Sequence, residues 1–373
     1  MRRTRVFVVA LVLALLGATT LLAYPAMVGT DKAERLARNF VFERMSGPDG
    51  AIFTSGKVRR LLLFPIYDPD DLLASGVLSE TVGLAMQYAV MIGDRELFDQ
   101  QLAFARKKLL GQFGLFYWKI SHDGDLVAGT SASVDDLRIV GAALAAAKRW
   151  SVKEYALFAE DIAANIRQHE TVDDALRDFL NWRDYGQPTV AETLRLSYAD
   201  TASLKALVAT DVSWQSVLSR TGDILLSGRS EAGLFYERYD FTTGRYEGQR
   251  QNMINQLYCA LFAAELESQG HPFGEWMKRR FAEDGVLYAE YDSLSGEATK
   301  FFESTSVYAL AARYAYRIGD RALGARLIDK LLKFQNLNPF SPMYGGFCDD
   351  EVYSFDNLEA LISLRVHNAG QTN

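Results

Sequence analysis

An all-α fold is predicted for this chain: an (α/α)6 toroid of six helical hairpins, with short β-hairpin loops on one rim. Three observations carry that expectation. From about Asp31 onward, apolar residues recur at spacings of three and four, the period of helices with one buried face. Helix pairs return roughly every fifty to sixty residues, the signature of stacked αα-hairpins. Helices near both ends are apolar, whereas an open array would need polar capping repeats. Closing the array into a ring satisfies both ends.

At the N-terminus, Arg2, Arg3 and Arg5 precede an uncharged run from Val6 to Ala23. A basic flank before an apolar run directs export, with the arginines held inside. The run is long for a cleavable signal and can cross a hydrocarbon layer of about 30 Å. Tyr24-Pro25-Ala26 is a poor cleavage site. Residues 1–30 therefore form a signal peptide or signal-anchor, with an uncleaved anchor through residues 6–23 favoured. Residues 31–373 form one extracytoplasmic domain, secreted or held at a bacterial cell surface, with no Pro-, Gly- or Ser-rich linker dividing it.

Helical spacing marks Val77–Ile92, Arg95–Leu110, Val134–Trp150, Lys153–Gln168, Leu204–Leu226, Asn252–Gln269, Ser304–Ile318, Arg321–Phe334 and Phe355–Val366. The stretch from Ile139 to Ala147 is apolar almost all round, so it belongs on the inside of the ring. Tyr88–Phe98 and Tyr314–Gly324 share a Gly-Asp turn between two helices. Gly233–Asp240 and Gly285–Asp292 repeat a second element, each followed by Gly244 or Gly296, and Gly114–Trp118 resembles a third copy. The Tyr-Asp-x-x-x-Gly ending predicts a hairpin whose Asp caps the turn.

The 373 residues are 49% hydrophobic and 12% aromatic, ample for a large core. A net charge of −7 leaves no basic footprint for nucleic acid. Cys259 and Cys348 match no metal motif, and sequence leaves open one disulfide or two thiols. The four histidines, His122, His169, His271 and His367, are scattered. No metal or other cofactor is expected, and a monomer is.

Glu80 carries the chemistry. It stands in Leu78-Ser79-Glu80-Thr81-Val82-Gly83-Leu84-Ala85-Met86, without Lys or Arg in the segment. A carboxyl entering an apolar pocket keeps its proton to higher pH, which suits a general acid for glycoside cleavage. The plainer alternative is a helix-start Glu favoured by the macrodipole and capped by Ser79. In a toroid the inner-helix starts converge on one end of the cleft, so Asp135 and Asp136 face the same region. Capping by Ser133 and these aspartates is the alternative, stronger for Asp135 than for Asp136.

These segments resemble glycoside hydrolase family 8, whose acid sits in Ser-Glu-Gly-Gln-x-Tyr-Gly-Met. Ser79, Glu80 and Met86 match; Thr81, Val82, Leu84 and Ala85 depart. The family's second motif opens Ala-Ser/Thr-Asp-Ala/Gly-Asp and runs into an apolar helix ending in Trp or Phe. Ala132, Ser133, Asp136, Ile139, Ala142, Leu144, Ala146 and Trp150 fit it, while Val134 replaces the first Asp and Asp135 the small residue. Gly93-Asp94 and Phe98 match the stretch between the motifs, and the resemblance runs from about Gly56 to Phe355.

The resemblance implies that Glu80 protonates the glycosidic oxygen and that Asp136, beside Asp135, binds the sugar just before the scissile bond. It also implies inversion, with a base about 6.5–9.5 Å from the acid to admit water. Two base candidates stand, Asp240 ranked ahead of Glu247: Asp240 follows the Gly233-Leu234 landmark, and Glu247 lies in Tyr246-Glu247-Gly248-Gln249-Arg250 where the family has Tyr-Asp-Ala-x-Arg. Asp292 holds the same place as Asp240 in the next repeat, which supports turn capping. Trp118 and Tyr198 are stacking platforms by their position; Trp150, Trp182, Trp214 and Trp276 belong to the core.

The function implied is endo-acting hydrolysis of a bacterial exopolysaccharide, of the kind that trims biofilm polymer. The motif departures argue against an ordinary cellulase, which stays an alternative. A non-catalytic glycan-binding toroid is another. A lyase or unsaturated-uronide hydrolase is disfavoured by the acidic balance and scattered histidines.

Overall fold

Twelve α-helices alternate between an outer and an inner layer in the computed structural model, which describes residues 29–61, 64–67, 76–127, 129–182, 187–348 and 351–371. The outer helices are α1 (Thr30–Asn39), α3 (Arg95–Phe104), α5 (Lys153–His169), α7 (Gln215–Ser227), α9 (Pro272–Asp284) and α11 (Arg321–Leu331). The inner helices are α2 (Ser79–Ile92), α4 (Ser133–Trp150), α6 (Thr201–Thr210), α8 (Met253–Leu266), α10 (Thr305–Arg317) and α12 (Ser354–Gln371).

Each inner helix packs on the next, and α12 packs on both α1 and α2, so the ring closes. The ends are sewn together by polar contacts as well. Asn368 Nδ2 on α12 donates to Glu34 Oε2 on α1 (2.7 Å), and Tyr88 Oη on α2 donates to Glu34 Oε1 (3.0 Å). One hydrophobic core runs from Ala33 to Leu364. The segment expected to be a signal or anchor, Val6–Ala23, lies outside the described residues; no described helix is long and apolar enough to cross a membrane.

Expected elements recur with shifted ends, and one differs in kind. The single helix expected over Leu204–Leu226 is two helices, α6 and α7, in different layers. Asp211 breaks it: its carboxylate accepts the Ser213 N–H (2.9 Å) and the Ser213 hydroxyl (2.7 Å), starting a new turn. The Gly-Asp turns behave as expected, Asp94 and Asp320 capping α3 and α11 through the N–H groups of Leu97 and Leu323, each at 3.0 Å. Cys259 is a buried free thiol, which removes the disulfide alternative.

The repeated loops show what ties rim to ring. In four hairpins the N–H of a buried apolar loop residue meets a polar side chain on the fourth residue of the next inner helix. Phe116 donates to Asp136 (2.8 Å), Phe235 to Gln256 (2.8 Å), Leu287 to Tyr308 (3.2 Å) and Phe347 to Asn357 (2.8 Å). A buried N–H left unmade costs about 1–3 kcal/mol, so each latch fixes where its loop crosses the helix start. That geometry fixes the rim above the cleft.

Candidate active site

Glu80 is the second residue of α2. Pairing of Val77–Leu78 with Lys119–Ile120 brings Trp118 alongside, and the Ser79 N–H donates to the Trp118 carbonyl (3.1 Å). The Trp118 backbone thus lies beside Ser79, the residue that precedes Glu80, and its indole is exposed. Gly83, one turn on, lets α4 approach: a Cβ there would lie 3.0 Å from Arg138 Cδ.

Around Glu80 stands a set of charges from three helices. Arg138 Nη1 is 3.8 Å from Glu80 Oε1 and 2.7 Å from Asp135 Oδ1. Asp135 Oδ2 accepts the Ser79 hydroxyl (2.8 Å). The buried Glu359 and the half-buried Asp356 approach from α12. Burial pushes the Glu80 carboxyl up to about 8, helped by the negative charges of Asp135, Glu359 and Asp356 against the opposing pull of Arg138. The macrodipole at the α2 N-terminus favours the ionised form, but its effect of about 0.3–1 kcal/mol is the smaller one. Glu80 is thus a carboxylic acid able to donate its proton near neutral pH, with 27% of its side chain still open to solvent.

The other sequence candidates separate into those near Glu80 and those elsewhere. Asp135 is buried with both oxygens occupied, so it braces the site. Tyr198 feels the charges of Asp135, Asp178 and Glu80 and stands at the same floor.

Asp136, expected to bind sugar, is engaged on the side of the loop. It is fully buried, its Oδ1 spent on the Phe116 N–H, and its side chain lies against that of Glu170. It is one of the four loop latches. Sequence missed this because the loop residue it serves lies twenty positions upstream.

Asp240 caps its hairpin, accepting the Thr243 N–H (2.8 Å), as Asp292 accepts that of Ser295 (2.9 Å). Backbone hydrogen bonding holds Asp240 below the usual carboxylate range. It pairs with Thr193, three residues before the start of the turn that carries Tyr198. Glu247 lies at the nearer end, its carbonyl receiving the Glu237 N–H while the Glu237 carbonyl receives that of Leu196. Its carboxylate is paired with Arg238 (2.8 Å).

Tyr246 donates to the Ile224 carbonyl (2.8 Å) and stacks on Tyr236, so it packs the hairpin onto outer helix α7. Arg250 stands opposite Asp292 in the neighbouring sheet, acting on Glu290 and Asp292. Sugar binding, the role their place in the Tyr-Asp-Ala-x-Arg-like segment implies for both, is an expectation that these rim contacts accompany. Conversely, Arg138, Tyr258, Asp356 and Glu359 escaped the sequence reading. The signal was available in the repeat: Arg138, Tyr258 and Glu359 each occupy the sixth position of an inner helix.

The model of "Glycosyl hydrolases family 8" matches residues 66–237. YdaJ of Bacillus subtilis (strain 168), provisionally named a lipoprotein, is 28% identical over 291 residues, spanning 77% of this chain and 78% of that protein. Among solved structures, a novel alpha-amylase from Clostridium perfringens shares 30% identity at a TM-score of 0.80, over 90% of this chain and 97% of that one. Endoglucanase Cel10 from Klebsiella pneumoniae, a family 8 glycosyl hydrolase, shares 19% identity at a TM-score of 0.63, over 90% and 98% respectively. PssZ from Listeria monocytogenes shares 21% at 0.67, over 88% and 94%. The last two likenesses speak for the fold alone.

Proposed function

Because the chain belongs to glycosyl hydrolases family 8 it is a glycoside hydrolase, and we propose that it cleaves a bacterial exopolysaccharide internally, by inversion, with Glu80 as the general acid. The single observation that carries the reading is the Glu80 carboxyl, buried enough to keep its proton to about 8 yet open to the cleft. The exposed Trp118, whose backbone pairs with Ser79 next to the acid, supports a stacking platform for a pyranose near Glu80. Work outside the cytoplasm, through residues 6–23, is part of the same proposal and is supported by the arginine-flanked apolar run and the likeness to YdaJ. A second reading, an α-glucan substrate, is favoured by the 30% identity to the Clostridium alpha-amylase.

Reducing-end release and viscosity, followed together on an exopolysaccharide panel, starch and carboxymethylcellulose, test the substrate. The expected result is one polymer whose viscosity falls well before its reducing ends accumulate. Turnover of starch alone would transfer the proposal to the α-glucan reading. Tight binding of a polymer without release of any fragment would establish a glycan-binding toroid instead.

For the base, Glu247 is the better candidate of the two carboxylates, because it lies closer along the hairpin to Tyr198. Glu247→Gln should lower kcat by about 10²-fold or more, the scale of a lost general base. Asp240→Asn should leave kcat within a few-fold and lower only the thermal midpoint. Equal kcat in the Glu247 variant and wild type would remove Glu247 from the mechanism.

A further inference from the structure

We propose that Arg138 and Glu359 are positioning residues for Glu80, joined through Tyr258 into a ladder of buried groups beneath the cleft floor. Resting on the assignment of Glu80 as the acid, this adds residues to which the sequence motifs give no role.

The ladder draws one side chain from each of four inner helices. Arg138, on α4, is almost fully buried, with its stem laid against Gly83 of α2. Its guanidinium lies over the ring of Tyr258 on α8, 5.5 Å from the centroid, within the range of an attractive cation–ring contact. The Tyr258 hydroxyl donates to Glu359 Oε1 on α12 (2.5 Å), and Arg313 on α10 pairs with Glu359 Oε2. Glu359 has no exposed surface. A buried carboxylate of this kind is retained only when paired and hydrogen-bonded, and here both of its oxygens are engaged.

The distances divide the labour. Arg138 Nη1 is at hydrogen-bonding distance from Asp135 (2.7 Å) but not from Glu80 (3.8 Å). Asp135, fixed by Ser79, binds the guanidinium, and the Tyr258 ring lies against it. Glu80 therefore has a cation near enough to orient its carboxyl group and too far to strip its proton. Packed against it, the titratable and charged groups are Asp135 and Arg138 of α4, Asp356 and Glu359 of α12, Tyr258 of α8, and Tyr198 from the turn before α6. Among them Arg138 alone favours the ionised acid; the carboxylates oppose it.

Opposite substitutions should then move the acid in opposite directions. With the full-length protein carrying carboxyl-¹³C glutamate, NMR titration follows the Glu80 resonance, assigned by its loss in Glu80→Gln. Removing one negative charge in Glu359→Gln should lower the Glu80 midpoint by about one pH unit, a tenfold change in the ionisation constant. Shortening the cation's reach in Arg138→Lys should raise it. Where turnover is measured, both variants should lose kcat about tenfold with KM within twofold. Midpoints unchanged in the folded variants would overturn the proposal, leaving the ladder a purely structural brace. Each variant decides alone, so failure of one to fold leaves the other as the test. The titration needs no substrate, so it stands apart from whether the polymer assignment fails.

Discussion

Glu80→Gln should lower kcat/KM for polymer cleavage by about 10³-fold, inside the range of about 10²–10⁴ attributed to a positioned general acid. Glutamine fills the same space and keeps the helix start intact, so stability should not fall with activity. The loss should depend on the leaving group. An oligosaccharide carrying a dinitrophenyl group departs without protonation, so the variant should regain most of its rate on such a substrate. Wild-type kcat/KM should be flat through neutral pH and decline above about 8, because the protonated carboxyl is the active form and burial carries its ionisation to that point. Enzyme assays from pH 5 to 10 on both substrates check this. Equal losses on the activated and unactivated substrates would mean that Glu80 binds sugar without donating a proton.

How far the site was legible in sequence follows from how local each signal is. Glu80 was singled out because its own segment is apolar and holds no cation between Leu78 and Met86; the charges of α4 and α12 around it were not visible there. The toroid was legible because period and repeat are carried by many residues at once. The turn-capping role of Asp240 was visible in the copy at Asp292. What was hidden depends on contacts remote along the chain. Asp135 and Asp136 are adjacent, and one residue of helix rotation, about 100°, decides which meets Ser79 and which meets Glu170. The position of Phe116 under Asp136 and of Ser79 under Asp135 sets that rotation. Neither contact is inscribed in Ser133–Ile139. Arg138 drew no reading of its own, because apart from Asp135 on the same helix its neighbours come from α8 and α2.

The alkaline limit of folding should trace to the buried pair Asp136 and Glu170. Glu170 has no exposed surface and accepts the Ser131 hydroxyl (2.5 Å), while its side chain meets that of Asp136. Asp136 Oδ2 and Glu170 Oε2 have no other partner among the described residues. Two buried carboxyls in contact cannot both ionise cheaply, so they share a proton. Burial raises both, Asp136 well above its ordinary range and Glu170 to about 8, with the Glu170 charge adding to the rise at Asp136.

The sign follows from the proton count. In the unfolded chain both groups ionise near their ordinary values, so above those the folded state binds more protons. The stability they contribute is complete below about pH 4 and is lost as pH rises toward 8, by about 1.4 kcal/mol per unit for each extra proton held. Asp136→Asn supplies permanently what protonation supplies: an oxygen for the Phe116 N–H and a donor for Glu170. Its urea midpoint should therefore fall less between pH 5 and 9 than that of the wild type, and exceed it at pH 9. Because Asp136 is engaged on the side of the loop, kcat at pH 6 should stay within a few-fold. A large loss of kcat with an unchanged pH dependence of stability would return Asp136 to the sugar-binding role its motif implies.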